Sequence, residues 1–384
     1  MKKTIQSLTI GIEEEYLLVE SETGALARRQ PSGFMEDCKR KLGDRVAHEF
    51  LQCQVEIGTS VCQTLPEARA ELLELRHVIS ETANTYGLSM VAASTHPWAH
   101  WSEQEPVDMD RYRILGNEHQ SLARRMAICG MHVHAGIKDP NLRVELMGQV
   151  SYFMPHLLAL SASSPFWEGH DTGLKAFRPI IIGDLPRSGF PEVFDSWNDW
   201  TEMLDDLAET GMVTDPSKIW WDIRPSARHP TLEIRICDVC TWFEDGLTIA
   251  ALFQSILAYL CHLREKNERR RHYRRILLLE NKWRAQRYGV ESELGDFGKR
   301  RSLPFAELID ELVDLLAPYA EELGCLPEVE HARVIARRGS SADHQLRVYR
   351  DALASGASDH DAQVAVVRWL IDQSALAHGP GASA

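Results

Sequence analysis

Carboxylate, imidazole and guanidinium side chains recur at every second position in three short segments that are otherwise largely apolar. The pairs are Glu13 with Glu15, His132 with His134, and Glu233 with Arg235. Because side chains along a β-strand alternate between two faces, both members of a pair are expected on one face of a sheet. Carboxylates that outnumber histidines suit oxygen-seeking cations such as Mg²⁺ or Mn²⁺, which support phosphoryl transfer without a protein nucleophile.

Two further features extend this polar face. Glu56 alternates with Val55 and Ile57, so its carboxylate is expected opposite the apolar side chains. Gly130 and Gly136 share the face of the two histidines and leave room above the sheet for a ligand. A histidine pair alone is more often structural than metal-binding, so the prediction of a site depends on the repetition of the pattern over several strands.

The elements that must position these residues are six predicted strands. Apolar and β-branched composition, alternation and flanking turn residues indicate strands. They cover 8–20, 50–57, 88–95 and 128–137, followed by a hairpin of 219–224 and 231–238 with a long loop.

Helices are predicted between these strands and through the rest of the chain. Thr64, Pro66 and Glu67 combine an N-cap, a first-turn proline and a capping-box glutamate, and Gly87 is expected to end that helix. Further helices are expected over 111–125, 139–161, 303–323 and 362–377, with a frayed tail at 379–384.

Strands confined to about the first 240 residues, with hairpins rather than regular βαβ units, favour an α+β fold with a largely antiparallel sheet. The 384 residues are expected to form one domain, with a sheet-containing core over about 1–240 and a helical portion over about 241–378.

Charge and hydropathy narrow the class of protein. The chain has 42 Lys and Arg against 56 Asp and Glu, a formal net charge of −14, which opposes an extended nucleic-acid footprint. We find no signal-peptide pattern and no uninterrupted apolar stretch of about 18 residues, so no membrane partner and a cytoplasmic location are expected.

The eight cysteines are scattered and do not form a disulfide framework. Only Cys237 and Cys240 have a spacing found in zinc or redox sites. A single C-x-x-C without a second pair favours two packed, reduced thiols. The chain also contains neither a Walker A motif nor G-x-G-x-x-G, so neither of these loops would hold a nucleotide.

Three sequence blocks together resemble the glutamate–cysteine ligase type 2 family of carboxylate–amine ligases. They are Gly-Ile-Glu-Glu-Glu-Tyr at 11–16, Cys-Gly-Met-His-Val-His-Ala-Gly at 129–136, and Arg-Pro-Ser-Ala-Arg-His-Pro-Thr-Leu-Glu-Ile-Arg at 224–235. The resemblance runs to about residue 375. It implies a glutamine-synthetase-like fold, in which a curved antiparallel sheet forms a funnel with an acidic inner face, flanked by helices.

The resemblance also implies roles for the polar face. ATP with Mg²⁺, or Mn²⁺, would phosphorylate a substrate carboxylate, and an amine would then displace phosphate; for the family name these are L-glutamate and L-cysteine. Glu233 and Arg235 would also contact the nucleotide phosphates, Arg235 as a catalytic residue, and His134 is a weaker nucleotide-binding candidate. The implied metal ligands are Glu13, Glu15, Glu56, His132 and Glu233.

Arg178, Arg187 and Arg224 are candidates for gripping the substrate carboxylate or the transferred phosphate, because a guanidinium can bind either in a bidentate way. The alternative for each is a structural ion pair. The Gly- and Pro-rich stretch 164–191, which holds Arg178 and Arg187, is long enough to be an active-site lid.

Other interpretations stay open at this point. The same mechanism could serve another carboxylate or amine. His132, His134 and a carboxylate could bind Zn²⁺ for hydrolysis. An inactive ligase fold could act as a binding protein through the basic run 269–275, although such runs are usually solvated helix faces. The partners expected are small molecules, and a homodimer is compatible with the sequence.

Overall fold

The computed structural model of the protein describes residues 8–375. Strands β1 to β13 of this part are, in chain order, Ile10–Glu20, Val46–His48, Gln54–Gly58, Leu88–Val91, Met131–Gly136, Phe166–Trp167, His170–Asp171, Ser188–Gly189, Trp220–Trp221, Ile223–Pro225, Thr231–Ile234, Glu293–Asp296 and Arg301–Pro304.

Helices surround the strands and dominate the C-terminal third. Helices α1 to α14 are, in chain order, Phe34–Leu42, Leu65–Thr85, Asp110–His119, Ser121–Arg124, Pro140–Val150, Met154–Ser161, Arg178–Gly183, Trp197–Glu209, Phe243–Glu265, Arg275–Tyr288, Phe305–Leu323, Leu326–Arg338, Ser341–Ala354 and Asp359–Ser374.

Seven strands form one sheet around β1. The order is β10-β11-β5-β1-β3-β2, and β4 pairs with the C-terminal part of β1. Every pairing in this sheet is antiparallel. The α+β class with an antiparallel sheet flanked by helices, predicted from the sequence, is therefore confirmed.

The two faces of β1 differ sharply. Ile10, Ile12 and Tyr16 are almost completely buried on the face that packs against the helices. Glu14 lies on the same face and is fully buried, because Arg76 of α2 donates two hydrogen bonds of 2.7 Å to its carboxylate. The other face of β1 is thus left to Glu13 and Glu15, as the alternation predicts.

Helix α2 begins and ends where its sequence indicates. The Thr64 hydroxyl accepts a hydrogen bond from the Glu67 backbone N–H, and Pro66 occupies the first turn. Gly87 follows the helix with φ 70°, a conformation that favours glycine. Leu72, which is fully buried, lies on the face of α2 that covers the sheet.

Helix α9, Phe243–Glu265, packs behind the sheet. By length and composition it is the one described helix that could cross a membrane, with a mean hydropathy of 1.6 over its most apolar window. However, 83% of that window is buried in the interior. Its position is that of a core helix.

Several predicted elements are shorter or interrupted. The second strand begins at Gln54 rather than residue 50, because the Gln54 backbone N–H closes a turn onto the Leu51 carbonyl. Gln120, with φ 50°, separates α3 from α4 within the predicted helix 111–125. The predicted helix 139–161 is divided into α5 and α6, and Pro155, which lacks an N–H, lies in the first turn of α6. The predicted strand 88–95 is reduced to β4.

A hairpin of β12 and β13 lies where only helices were predicted. Leu294 and Leu303 face each other across it and are buried. The Asn281 side chain makes hydrogen bonds of 2.8 and 3.0 Å with the Gly295 backbone, which fixes the hairpin to α10. Each strand has a single buried apolar residue, so the alternation was too short to recognise.

The predicted loop 164–191 contains short pieces of structure, including α7 and three two-residue strands, β6 to β8. Of the basic run 269–275, residues 269–274 precede α10 and only Arg275 belongs to it, so the run does not form a helix face. The predicted tail at 379–384 and the end of the predicted helix 362–377 lie outside the described residues. The assignment of the chain to one domain stays a prediction.

Candidate active site

Strand register brings the predicted polar residues together on one face of the sheet. Glu13 of β1 lies opposite His132 of β5 on one side and Gly58 of β3 on the other. His134 of β5 lies opposite Glu233 of β11. The antiparallel order β11-β5-β1 therefore converts three segments far apart in sequence into one patch.

The centre of this patch has the geometry of a cation site. One ligand atom each from Glu13, His134 and Glu233 lies within 4.8 Å of the other two. Glu13 also lies 3.2 Å from His132 Nδ1 and 3.3 Å from His134 Nε2. Burial opposes ionisation of Glu13, but its hydrogen bonds to the two histidines outweigh this and hold the pKa of Glu13 well below its usual range.

The two histidines, His132 and His134, differ in how readily they take up a proton. Burial, together with the nearby Arg235, lowers the pKa of His132 to about 4. Burial also opposes protonation of His134, but its hydrogen bond to Glu13 and the charge of Glu233 raise the pKa of His134. His132 Nε2 is buried and has no hydrogen-bond partner among the described residues, whereas His134 Nε2 lies 3.3 Å from Glu13. Unpartnered buried imidazole nitrogens of this kind are suited to a ligand.

A second group of carboxylates lies beside the first. Glu15 lies directly opposite Glu56, and the Glu15 carboxylate accepts a 2.6 Å hydrogen bond from the Gly130 N–H. Burial and the charge of Glu49 raise the pKa of Glu15 to about 8. Burial and the charges of Glu49, Glu13 and Glu15 raise the pKa of Glu56 well above its usual value. The carboxylates of Glu15, Glu49 and Glu56 can all be ionised at the same time only if a cation lies beside them.

Glu49 also belongs to this group and was not predicted from the sequence. Burial raises the pKa of Glu49, although the residue accepts hydrogen bonds, including one with Glu56. Glu49 follows β2 directly, and Ala47 of β2 pairs with Glu56. The alternation Ala47–Glu49 would have placed this carboxylate on the polar face, but a three-residue strand was not recognised as a strand.

Glu233 is held by two arginines. Arg224 donates a 3.0 Å hydrogen bond through Nε to Glu233, and its Nη1 donates to the Ser217 and Ile219 carbonyls. Arg235 also donates to Glu233 and lies 3.4 Å from His132 Nδ1. Burial opposes ionisation, but the two arginines hold the pKa of Glu233 far below its usual range.

Arg178 lies in the wall beneath the second carboxylate group. Its Nη1 donates to the backbone carbonyls of Arg235 and Cys237, at 3.2 and 3.1 Å. A Cβ at Gly130 would come within 2.1 Å of the Arg178 guanidinium, so only glycine fits there. In this arrangement the charge of Arg178 stabilises the ionised form of Glu15. Contact between Arg178 and a substrate stays a prediction.

Arg187 lies apart from the carboxylates. Its Nε donates a 3.1 Å hydrogen bond to the Lys218 carbonyl, and its guanidinium lies over the Trp220 ring at 5.5 Å. Of the predicted arginines, therefore, Arg224 and Arg235 contact the acidic patch directly, Arg178 borders it, and Arg187 lies on the flank.

A pocket of about 310 Å³ opens beside Glu13 and His134. Three glycines, Gly11, Gly58 and Gly136, lie along it on adjacent strands, and His229, Val61 and Pro230 form parts of its walls. Small residues on three strands leave space for a flat or bulky group next to the cation-binding centre.

The donor set fits divalent cations of the magnesium type better than zinc. Five carboxylates and two imidazoles converge here, and oxygen ligands suit Mg²⁺ and Mn²⁺. The cysteines do not contribute: all eight are free and buried. Burial raises the pKa of Cys237 to about 12 and that of Cys240 well above its usual value, as expected for packed thiols.

Comparison with known proteins shows the family to which the chain belongs. The family model for glutamate–cysteine ligase family 2 matches residues 9–366. A Rhodospirillum rubrum protein with the provisional name glutamate–cysteine ligase 2 is 50% identical over 382 residues, covering 98% of each chain. A Jannaschia protein with the same provisional name is 47% identical over 367 residues, covering 96% of this chain and 97% of its own.

Solved structures share the fold at low sequence identity. The glutamate–cysteine ligase of Francisella tularensis, in complex with AMP, superposes with a TM-score of 0.67 at 15% identity, covering 96% of this chain and 89% of its own. A bifunctional glutathione synthetase from Pasteurella multocida gives a TM-score of 0.69 at 14% identity, covering 97% of this chain and 53% of its own.

Proposed function

Since the chain belongs to glutamate–cysteine ligase family 2, we propose that it is an ATP-dependent carboxylate–amine ligase that joins L-glutamate to L-cysteine. The observation that carries the proposal is the concentration of carboxylates on one largely enclosed sheet face. They are Glu13, Glu15, Glu49, Glu56 and Glu233. Without cations such a cluster repels itself, whereas a ligase that uses ATP needs cations beside the phosphates.

Two groups of side chains would hold the cations. Glu13, Glu233 and the histidines His132 and His134 form the first. Glu15, Glu49 and Glu56 form the second. When bound there, Mg²⁺ or Mn²⁺ would neutralise charge on the ATP phosphates.

The reaction has two balanced steps. The substrate carboxylate attacks the γ-phosphorus of ATP, so that an acyl phosphate forms and ADP leaves. The free amine then attacks the acyl carbon, the C–N bond forms, the C–O bond to phosphate breaks, and the nitrogen releases one proton to the departing phosphate or to water. We assign contact with the transferred phosphoryl group to Arg235, because its guanidinium reaches both Glu233 and His132 at the centre of the patch.

The remaining residues support these groups. Arg224 would keep Glu233 ionised and oriented, and Arg178 would do the same for Glu15. The pocket beside Glu13 is our candidate for the nucleotide, with the glycines as its floor and His134 at its inner edge. Arg187 would contribute at the flank, next to Trp220. All eight cysteines are free, which agrees with work in a reducing cytoplasm.

The direct test is phosphate release from ATP and Mg²⁺ with L-glutamate, first alone and then with L-cysteine or one of a panel of other amines. Cysteine-dependent release with γ-glutamylcysteine as product is the expected result. Release with a different amine would replace the substrate and keep the mechanism. Absence of both release and thermal stabilisation by ATP with Mg²⁺ would contradict the proposal and favour an inactive ligase fold.

A further inference from the structure

A fully buried carboxylate, Asp238, lies three residues beyond Arg235, and no step of the ligase reaction requires it. Its Oδ2 accepts hydrogen bonds from the Ser163 N–H at 2.9 Å and from the Ser164 hydroxyl at 2.6 Å. Burial raises the pKa of Asp238 to about 6, although these bonds and the charge of Arg178 favour the ionised form. Burying a carboxylate is costly, so a fold that keeps one here needs what the group holds in place.

The Ser164 hydroxyl joins Asp238 to the start of α7. The hydroxyl oxygen accepts hydrogen bonds from the backbone N–H groups of Phe177 and Arg178, at 2.8 and 3.0 Å. A hydroxyl has two lone pairs and one proton, so with both lone pairs taken the proton must go to an acceptor. Asp238 is that acceptor, and one oxygen atom therefore links its carboxylate to the backbone of Arg178.

The backbone of Ser164 closes the loop that leads to Arg178. Its N–H donates to the Lys175 carbonyl at 3.2 Å, and its carbonyl accepts from the Phe177 N–H at 3.0 Å. Ser164 and Ala176 also form a parallel bridge. The chain thus leaves Ser164 and returns to it just before Arg178, which makes this serine the base of the loop.

The guanidinium end of Arg178 lies against the strands next to Asp238. Arg178 Nη1 donates to the Cys237 carbonyl at 3.1 Å, and Asp238 forms an antiparallel bridge with Gly130. A Cβ at Gly130 would lie 2.1 Å from Arg178 Nη2, and the Gly130 N–H donates to Glu15. Asp238 is therefore connected to both ends of Arg178, to its backbone through Ser164 and to its guanidinium through the adjoining strands.

The charge of Arg178 acts on two carboxylates. It favours the ionised form of Asp238 behind it and the ionised form of Glu15 on the polar face. Because the interaction between buried charges depends on their separation, a displaced guanidinium would change the ionisation of Glu15. The position of Arg178 therefore matters for the second carboxylate group.

We propose that Asp238 is a positioning residue, which acts through the Ser164 hydroxyl to hold the Arg178 guanidinium over Gly130 and beside Glu15. This inference rests on the proposed ligase function for its effect on phosphate release. It differs from a purely structural role, in which loss of the link would lower stability and leave the turnover of the folded enzyme unchanged.

Ser164→Ala and Asp238→Ala break the link at its two ends. Each should lower kcat for phosphate release about 100-fold and change the KM for ATP by less than about 3-fold, because a displacement of about 1 Å at a positioned group has an effect of this size. Ser151→Ala is the control, since the buried Ser151 hydroxyl donates at 2.9 Å to the Met147 carbonyl at the end of its own helix. It should keep the wild-type kcat. A wild-type kcat in folded Ser164→Ala would overturn the proposal.

Asp238→Asn separates position from charge. The amide oxygen can accept the same two hydrogen bonds, so kcat should fall by less than about 10-fold and exceed that of Asp238→Ala. The asparagine keeps the size of the side chain and tests the link even if the alanine variants do not fold. A fall of about 100-fold in Asp238→Asn would assign the effect to charge and contradict the positioning role.

A residue that acts through Arg178 should have little effect once Arg178 is replaced. In the Arg178→Lys background, adding Ser164→Ala should lower kcat by less than about 3-fold, because the two sites are coupled. A further loss of about 100-fold in this background would show that Ser164 acts through another group, and the proposal would fail.

Hydrogen exchange separates the positioning role from the ligase chemistry. The Arg178 amide should exchange at least about 10-fold faster in Ser164→Ala than in the wild type, and at the wild-type rate in Ser151→Ala, since the amide loses its acceptor in the first variant alone. This result in a protein that releases no phosphate would keep the link to Arg178 and contradict the ligase function. Unchanged exchange in Ser164→Ala would overturn the link itself.

Discussion

Glu15 on β1 and Glu56 on β3 lie directly opposite each other, so two carboxylates occupy one cross-strand pair. Like charges in this position destabilise a sheet. Burial and the charge of Glu49 oppose ionisation of Glu15 in the folded state, and Gln removes the ionisable group while it keeps an acceptor for the Gly130 N–H. Without divalent cations, Glu15→Gln should therefore raise the free energy of unfolding by about 1 kcal/mol, measured by urea denaturation.

The same variant should lose function. Glu15→Gln should abolish phosphate release and the stabilisation by Mg²⁺ with ATP, measured by thermal shift. Glu22→Gln, in the exposed turn after β1, is the matched control and should behave as the wild type. Retained turnover in Glu15→Gln would contradict its assignment as a metal ligand.

Glu14 should respond in the opposite way, although it is adjacent to Glu15. Its carboxylate is fully buried and bonded to Arg76, which also donates to the Cys240 and Thr241 carbonyls. Glu14→Gln would leave the arginine charge buried without its partner, at a cost of about 3–5 kcal/mol. Chemical denaturation should show this loss, whereas Glu20→Gln, exposed at the end of the same strand, should change stability by less than about 0.5 kcal/mol. Equal stability of the two variants would refute a structural role for the buried pair.

Gly130 should tolerate no side chain, because a Cβ there meets the Arg178 guanidinium at 2.1 Å. Gly130→Ala must displace Arg178 or the strand that holds Glu15, which predicts a loss of about 1–3 kcal/mol in stability and of most phosphate release. Gly183→Ala is the control, since its Cβ would meet no atom within 4 Å. A fully active Gly130→Ala enzyme would show that the close approach to Arg178 is unimportant.

The surroundings of His96 lead us to expect that the folded protein loses stability at low pH. Its Nδ1 accepts from the Trp98 and Ala99 backbone N–H groups, and its Nε2 lies 2.9 Å from the Gly24 carbonyl, so the neutral ring is bonded on both sides. Burial lowers the pKa of His96 to about 4, below the 6.5 of an ordinary histidine.

The folded state therefore binds the His96 proton less readily than the unfolded state. The neutral His96 ring therefore contributes fully to the free energy of unfolding above about pH 6.5, and this contribution is lost as the pH falls towards 4. At pH 5 the loss is at most about 2 kcal/mol. His96→Gln should show a smaller fall in stability between pH 7 and 5 than the wild type, measured by urea denaturation at each pH. His170→Gln, at an exposed histidine, should keep the wild-type slope. Parallel slopes for all three proteins would exclude His96 as the source.

The sequence predicted best what depends on local periodicity. The alternation around Glu13 and His132 placed both residues on the correct face, because a strand with one apolar face has a single workable register. The Thr64 cap and Gly87 marked the ends of α2 because each has a local conformational reason.

What the sequence could not predict depends on tertiary contacts. Glu49 follows a strand of three residues, too short for a periodic signal. Arg178 and Arg224 donate to the backbone carbonyls of Cys237 and Ile219, contacts that no local sequence pattern encodes.

The buried Glu14–Arg76 pair also limits which insertions and deletions the chain can accept. Adding or removing one residue within the first half of β1 would turn Glu13 and Glu15 towards the apolar interior, where Arg76 could neutralise only one of them. It would also turn Glu14 alone towards the polar face, in place of the pair Glu13 and Glu15. Insertions and deletions in this family should therefore fall in the loops. The spacing between Gly11, the three glutamates 13–15 and Tyr16 should be constant, because folding alone already requires it.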